Sequence, residues 1–362
     1  MISSLSHRVR ETVWRRQGIG GWLGWLALQP AAGLFAAGVA ARNLAYRVGI
    51  LRSQRSRVPI ISVGNLSVGG TGKTPMTLWL AQALQARGWE CAIVLRGYSG
   101  SDREVTVVSR GHGPEVDVVR VGDEAVMLAK SFAGVVITAR RRADGARVAA
   151  ELGCNVVLLD DGFQHRALAR DFDLVLLGRN HGTVLPAGPM RESWGALERA
   201  DAVALVRKGE LDAFPHDRIP TTIPRFAARL LPHSLVETDG GRWTELPLTR
   251  LSGTRVALVS GIADPEPFYA AIREWDPQVV EIFEFPDHYL YTTEDWQRIN
   301  RTRDAELVVT TEKDLVKLER FPFARGKLVA LRLQAEIEQP GDLLRMIEDK
   351  IKGEGSDSNL EG

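Results

Sequence analysis

The sequence predicts an α/β protein with mostly parallel sheets, on three observations. Val58 to Pro75 passes from a β-branched strand through a glycine-rich turn into a helical pattern. Short apolar runs then alternate with helical patterns to about residue 206, as in a parallel sheet covered by helices. A second alternating run follows a hairpin signal and reaches a terminal helix at Pro340–Ile351. Such sheets bind ligands at the carboxyl ends of their strands.

Taken in order, Ile60–Val63 reads as a buried strand and Pro75 to about Arg87 as a helix, with Pro75 in its first turn. Between them lies the context of a phosphate-binding loop. Gly69, Gly70, Thr71 and Gly72 form the turn, where backbone N–H groups converge on phosphate oxygens. Lys73 reaches the β/γ-phosphates, and the Thr74 hydroxyl can ligate Mg²⁺. The first glycine of G-x-x-x-x-G-K-[ST] would stand at position 67, which is Ser67. Nucleotide binding follows from the agreement of strand, loop, Lys-Thr and helix.

Cys91–Leu95 is the next strand, and Glu104–Ser109 and Val116–Val121 read as short extra strands. Gly122-Asp123-Glu124 opens a helix to about Phe132. Val135–Thr138 is a strand, followed by Arg140-Arg141-Arg142 and a helix to Leu152. Val156–Leu159 is an apolar strand ending in Asp160-Asp161, an acidic strand end suited to Mg²⁺ beside a phosphate loop. Asp173–Leu177 and Ala202–Val206 complete this half. Arg225 to Trp243 then gives two extended segments around Asp239-Gly240-Gly241. Arg255–Gly261, Val279–Phe283, Leu307–Thr310 and Leu328–Leu333 are the strands of the second run. Helices are expected at Pro265–Trp275 and Glu294–Arg303. His288 follows the second of these strands. Paired with Asp123 it would suit a kinase, the carboxylate accepting an alcohol proton and the imidazole tuning it.

The 362 residues allow two or three domains, with ordinary apolar (44%) and charged (25%) fractions for a globular protein. The two cysteines have no metal or redox spacing, which points to reduced thiols in a cytoplasmic protein. Charge is unevenly spread. Residues 1–57 hold nine arginines and one acid, +8, so the remainder carries −7 of the net +1. A basic end on an acidic body points to an anionic partner. Gly18–Ala41 is uncharged, but six glycines, seven alanines, Gln29 and Pro30 make it weakly hydrophobic. A broken helix lying in a membrane interface fits better than a span. A cleaved signal peptide and a packed helical hairpin are the other readings.

These residues carry a family resemblance. The chain resembles tetraacyldisaccharide 4′-kinase, the lipid A 4′-kinase of Gram-negative bacteria. It does so through Val63–Pro75, Arg96-Gly97-Tyr98, Gly122–Glu124, Asp160–His165, Leu185–Glu192, Phe285–His288 and Thr310–Asp314. The resemblance implies two α/β/α P-loop/Rossmann-like domains, a short two-stranded linker and an N-terminal membrane-associated helix. The boundaries expected are 1–57 for the membrane segment, 58–224 for the nucleotide domain and 225–248 for the linker. A C-terminal α/β domain at 249–352 and a disordered tail at 353–362 complete the chain. The resemblance also implies ATP- and Mg²⁺-dependent phosphorylation of the 4′-hydroxyl of tetraacyldisaccharide 1-phosphate, a glycolipid, at the cytoplasmic face of the inner membrane. Asp123 would be the general base, His288 its partner and Lys73 the phosphate cation. Thr74, Asp160 and Asp161 would serve the metal, and Asn65, Tyr98, Glu124, His165, Arg191 and Glu192 would line the cleft. One of Arg140, Arg141 and Arg142 would join them.

Two other classes stand beside this one. A soluble small-molecule kinase with the same loop would not need residues 1–57. A non-catalytic nucleotide switch at a membrane would phosphorylate no acceptor. Nucleic acid is not expected as a partner, because the basic arm lacks the aromatic–basic pattern that stacks single strands.

Overall fold

The computed structural model describes residues 12–178, 182–207, 216–302 and 304–357. In chain order the elements begin with α1 (Gly18–Arg47), β1 (Ile60–Asn65), α2 (Lys73–Gln85), β2 (Cys91–Leu95) and β3 (Thr106–Arg110). There follow α3 (Val118–Val121), α4 (Asp123–Ser131), β4 (Val135–Thr138), α5 (Arg142–Glu151), β5 (Val156–Asp160), β6 (Phe172–Leu177) and β7 (Ala202–Arg207). The hairpin β8 (Arg225–Asp239) and β9 (Arg242–Leu246) precedes β10 (Arg255–Ser260), α6 (Glu266–Arg273), β11 (Gln278–Glu284) and α7 (Thr293–Asn300). The chain closes with β12 (Leu307–Thr311), α8 (Glu312–Leu318), β13 (Leu328–Ile337) and α9 (Pro340–Asp357).

These elements sort into two compact units. The first comprises Met1–Leu95, Arg141–Arg229 and Glu336–Gly362; the second comprises Arg96–Arg140 and Leu230–Ala335. Contiguous domains were expected, but both units are discontinuous. Segment 96–140 belongs with the C-terminal strands because α4 buries Ala125, Leu128 and Ala129 and packs on α8, far away in sequence. The expected cut near residue 224 falls next to β8, whose first residues belong to one unit and the rest to the other.

In the first unit, β2, β5, β1, β6, β7 and the start of β8 are parallel neighbours in that order. Every residue of β1 is buried, as expected for a central parallel strand covered on both faces. The pairing of Val63 with Asp160 brings that carboxylate level with the end of β1, where the glycine turn begins. Cys91 and Cys154 are buried free thiols, and burial pushes them up to about 12 and about 11. Both are therefore unreactive packing residues.

In the second unit, β11, β10, β12 and β13 are parallel. Alternate residues of this sheet face different cores. Val256, Leu258, Val309 and Val329 enter one, and Ala257, Val259, Val308 and Ala330 the other. The β8–β9 hairpin turns at Gly240 and Gly241, both at positive φ.

Three local expectations are corrected. Val118–Val121 is a helical turn and not a strand, because the Asp117 carboxylate accepts from the Val119 N–H at 2.8 Å and caps it. α1 is one unbroken helix through Pro30, despite the hydrogen bond that proline cannot donate. α9 continues to Asp357, beyond the expected end at Ile351; the rest of the expected tail, 358–362, lies outside the described residues.

α1 is not buried in a hairpin. It is long and apolar enough to cross a membrane, with only 6% of its most apolar window buried. Ile19, Leu23, Leu26 and Leu34 recur at helical spacing and are exposed. Another side is fastened to the rest of the first unit. The Trp25 indole donates to the Thr183 hydroxyl (3.3 Å), and the Asn43 amide to Glu192 (2.8 Å).

Candidate active site

In the first unit the phosphate loop is held from several sides. Gly72 caps α2 in the left-handed region (φ 86°), and Gly69 also has positive φ (107°), conformations that glycine adopts without cost. The buried Asn65 amide donates to the Thr71 hydroxyl at 2.8 Å, tying the end of β1 to the turn. The Val68 N–H donates to Pro189 O (2.8 Å) and the Arg191 N–H to Leu66 O (2.6 Å), so segment 189–191 runs along the loop. A Cβ at Gly64 would stand 2.4 Å from that of Phe163, which keeps the Asp160–His165 turn pressed on β1.

The acidic strand end divides into two roles. Asp160 accepts from the Thr74 hydroxyl at 2.9 Å and from Thr77 at 3.3 Å. Asp161, in the left-handed region (φ 56°), receives Lys73 at 3.7 Å and Arg191 at 2.9 Å. Burial raises the Asp161 carboxyl, but Lys73 and Arg191 outweigh it and hold the group below the usual carboxylate range. Arg142 also acts on Asp161 by charge. Of the three consecutive arginines it alone is buried, whereas Arg140 and Arg141 are exposed.

His165 is half-buried in the same turn, its N–H on Gly162 O at 2.8 Å. Glu192 is buried and bound by Arg199 (3.0 Å) and Asn43, with Arg42 at 3.8 Å. Its carboxylate thus fastens α1.

In the second unit Asp123 begins α4 and is only 3% exposed. Its neighbour Gly122 has φ 88°, and a Cβ there would stand 2.2 Å from Tyr98 O. His288 Nδ1 lies 3.0 Å from Asp123 Oδ2 and 3.2 Å from Oδ1. The imidazole sits beside the Tyr98 ring, 5.3 Å between centroids. His288 has φ 57°, a left-handed conformation unusual for a histidine after a strand. Burial raises the Asp123 carboxyl, yet His288, Lys317 and Lys313 together hold it down to about 2. The hydrogen bond to Asp123 raises His288 above its usual value, against the effect of burial. Lys313 pairs with Glu124.

Asp123, His288, Tyr98 and Glu124 are thus gathered in one unit. Asn65, Thr71, Lys73, Thr74, Asp160, Asp161 and Arg191 are gathered in the other. Asp123 and His288 were expected on opposite domains, and the discontinuous second unit contains both. The sequence reading missed Lys317, which lies 3.4 Å from Asp123 Oδ2. Its signal was the spacing Asp314-x-x-Lys317, which puts the pair one turn apart on a helix.

This arrangement can be compared with known proteins. A family model described as tetraacyldisaccharide-1-P 4′-kinase, LpxK, matches residues 24–352. A tetraacyldisaccharide 4′-kinase of Anaeromyxobacter sp. (strain Fw109-5) is 37% identical over 337 residues, covering 90% of this chain and 91% of that protein. One from Syntrophotalea carbinolica is 41% identical over 308 residues, covering 82% and 84%. The crystal structure of LpxK from Aquifex aeolicus in complex with ATP matches with a TM-score of 0.78 at 31% identity. It covers 90% of this chain and 99% of that one. The phosphate loop, the acidic strand end and the Asp–His pair all lie within the matched residues, and the chain belongs to the tetraacyldisaccharide-1-phosphate 4′-kinase family.

Proposed function

We propose that this chain transfers the γ-phosphate of ATP to the 4′-hydroxyl of tetraacyldisaccharide 1-phosphate, with Asp123 as general base. The observation that carries the assignment is a buried carboxylate kept ionised by a hydrogen-bonded histidine, in a chain whose Lys73-Thr74 loop is tied to Asp160. Asp123 accepts the proton of the acceptor hydroxyl as its oxygen bonds to the γ-phosphorus. The bond from that phosphorus to the β,γ-bridging oxygen breaks, and ADP leaves with the electron pair. His288 orients the carboxylate. Lys73 stabilises charge on the transferring group, and Asp161, itself anchored by Arg191, holds the lysine in line.

Magnesium fits the residues present. Thr74 and Asp160 are hard oxygen donors already in contact, as Mg²⁺ requires. Among the described residues no group of three or more His, Cys, Asp or Glu side chains could hold a metal. That suits an ion bound by one or two protein oxygens and completed by phosphates. Asp160 is the better direct partner, since Asp161 is engaged by Lys73 and Arg191. When bound, the ion would neutralise charge on the β- and γ-phosphates.

The assay is incubation with γ-labelled ATP and tetraacyldisaccharide 1-phosphate. Label should appear in the lipid. Label found only in inorganic phosphate would overturn the kinase reading in favour of a nucleotide switch.

The exposed apolar stripe of α1, flanked by arginines, supports a peripheral or monotopic seat at the cytoplasmic face of the inner membrane. The protein should co-sediment with anionic vesicles, and less at high salt, where the arginine contribution is screened. Protease should reach both ends of the segment from one side of a sealed vesicle. One protected end would mean a span.

A further inference from the structure

We propose that Lys317, held in place by Asp314, is a positioning residue that sets the proton affinity of the Asp123–His288 pair. The proposal rests on the reading of that pair as the base of the reaction. Lys317 is 2% exposed and Asp314 is fully buried, deeper than a surface ion pair on a helix would lie. The Lys317 ammonium stands 3.4 Å from Asp123 Oδ2 and 3.0 Å from Asp314 Oδ1. It makes an aligned hydrogen bond to neither, so its effect on them is one of charge.

Asp123 Oδ2 is also the oxygen that His288 Nδ1 approaches at 3.0 Å. An imidazolium there would set a second cation, beside the buried Lys317, against one carboxylate oxygen. Lys317 therefore disfavours the protonated pair and keeps it ready to accept a proton.

The same carboxylate also locates His288. Asp314 Oδ2 accepts from the Gly261 N–H (2.9 Å) and the Thr311 hydroxyl (2.8 Å), and Gly261 O accepts from the His288 N–H (3.2 Å). A Cβ at Gly261 would stand 2.8 Å from Asp314 Oδ1, so this approach requires glycine. Asp314 thereby fixes the backbone of one member of the pair and the cation beside the other.

Two other charged groups act on the pair: Lys313 lowers His288 and Asp287 raises it. Glu124 of α4 is matched by Lys313 of α8. Asp287 lies 3.9 Å from His288 Nε2, and both it and Tyr98 are exposed to solvent. Burial beside Asp314 pushes the Tyr291 phenol far up and keeps it neutral.

The test is the titration midpoint of His288, read by NMR in the full-length protein without substrate. The resonance is assigned among the seven histidines by its loss in His288→Gln. Lys317→Met should raise the midpoint by about one unit and move the acid limb of the kcat profile up with it. Lys317→Arg keeps the charge and should restore the native midpoint. Asp314→Asn keeps an oxygen for Gly261 and Thr311 but frees Lys317 from its counter-charge, so the midpoint should fall. The double variant Asp314→Asn/Lys317→Met leaves neither charge without its partner. It keeps the test available if Lys317→Met does not fold, and its midpoint should lie between native and Lys317→Met.

Midpoints unchanged in Lys317→Met and Asp314→Asn, or moved in the same direction, would overturn the proposal. A purely structural role would lower Tm or rate without opposite shifts. Opposite shifts in a protein whose Asp123→Asn variant retains turnover would leave the electrostatic role standing and remove the base assignment instead.

Discussion

Replacing Asp123 with Asn should lower kcat by roughly 10²–10⁴-fold, the range for losing a positioned general base. Asparagine keeps the shape of the side chain and can still accept from His288, so the loss isolates the proton-accepting oxygen. ATP affinity should survive, because Lys73, Thr74, Asp160 and Asp161 belong to a separate cluster that the change does not touch. Titration calorimetry with ATP and turnover with the lipid acceptor separate the two effects. The His288→Gln loss should be strongly non-additive with that of Asp123→Asn, since the two groups act as one unit. Turnover near native in a folded Asp123→Asn protein would remove the base assignment.

The same pair links stability to pH. The Asp123 carboxyl is held below its usual 3.8, so its contribution is present above that value and is lost as pH falls toward about 2. The His288 value is raised above its usual 6.5, so its contribution is full below 6.5 and is lost as pH rises through the higher folded value. Both describe one interaction, fully present between those usual values.

The Lys73→Ala variant should lose roughly 10²–10³ in kcat, comparable with removing one preorganised donor from a developing charge. The protein should remain folded, for a reason visible in the site. Asp161, which pairs with Lys73 at 3.7 Å, keeps Arg191 at 2.9 Å, so the deletion leaves no carboxylate without a cation. Circular dichroism and the thermal midpoint check folding, and single-turnover kinetics check the chemical step. Near-native activity in a folded variant would mean that the loop does not serve the transferring phosphate.

The sequence by itself determined the phosphate loop and the alternation around it. Both are local: β1, its glycine turn and α2 are consecutive, and their periodicity and turn residues can be read without tertiary knowledge. The Asp160-Asp161 strand end was legible for the same reason. Tertiary structure decided which residues meet. Asp117 turned an apolar β-branched run into a helical turn through one cap, a contest between local terms too close for pattern alone. Burial singled out Arg142 from three consecutive arginines that are equivalent in sequence. Pairing decided that Asp161 faces Lys73 and Arg191 while Asp160 faces Thr74. Most of all, α4 and α8 lie almost 190 residues apart, measured from Glu124 to Lys313. Their packing sets Lys317, and the loop after β11 sets His288, against the same oxygen of Asp123. Side-chain periodicity reports which face of an element is buried. It carries no information about the partner that buries it, and charge coupling over a few ångströms depends on that partner.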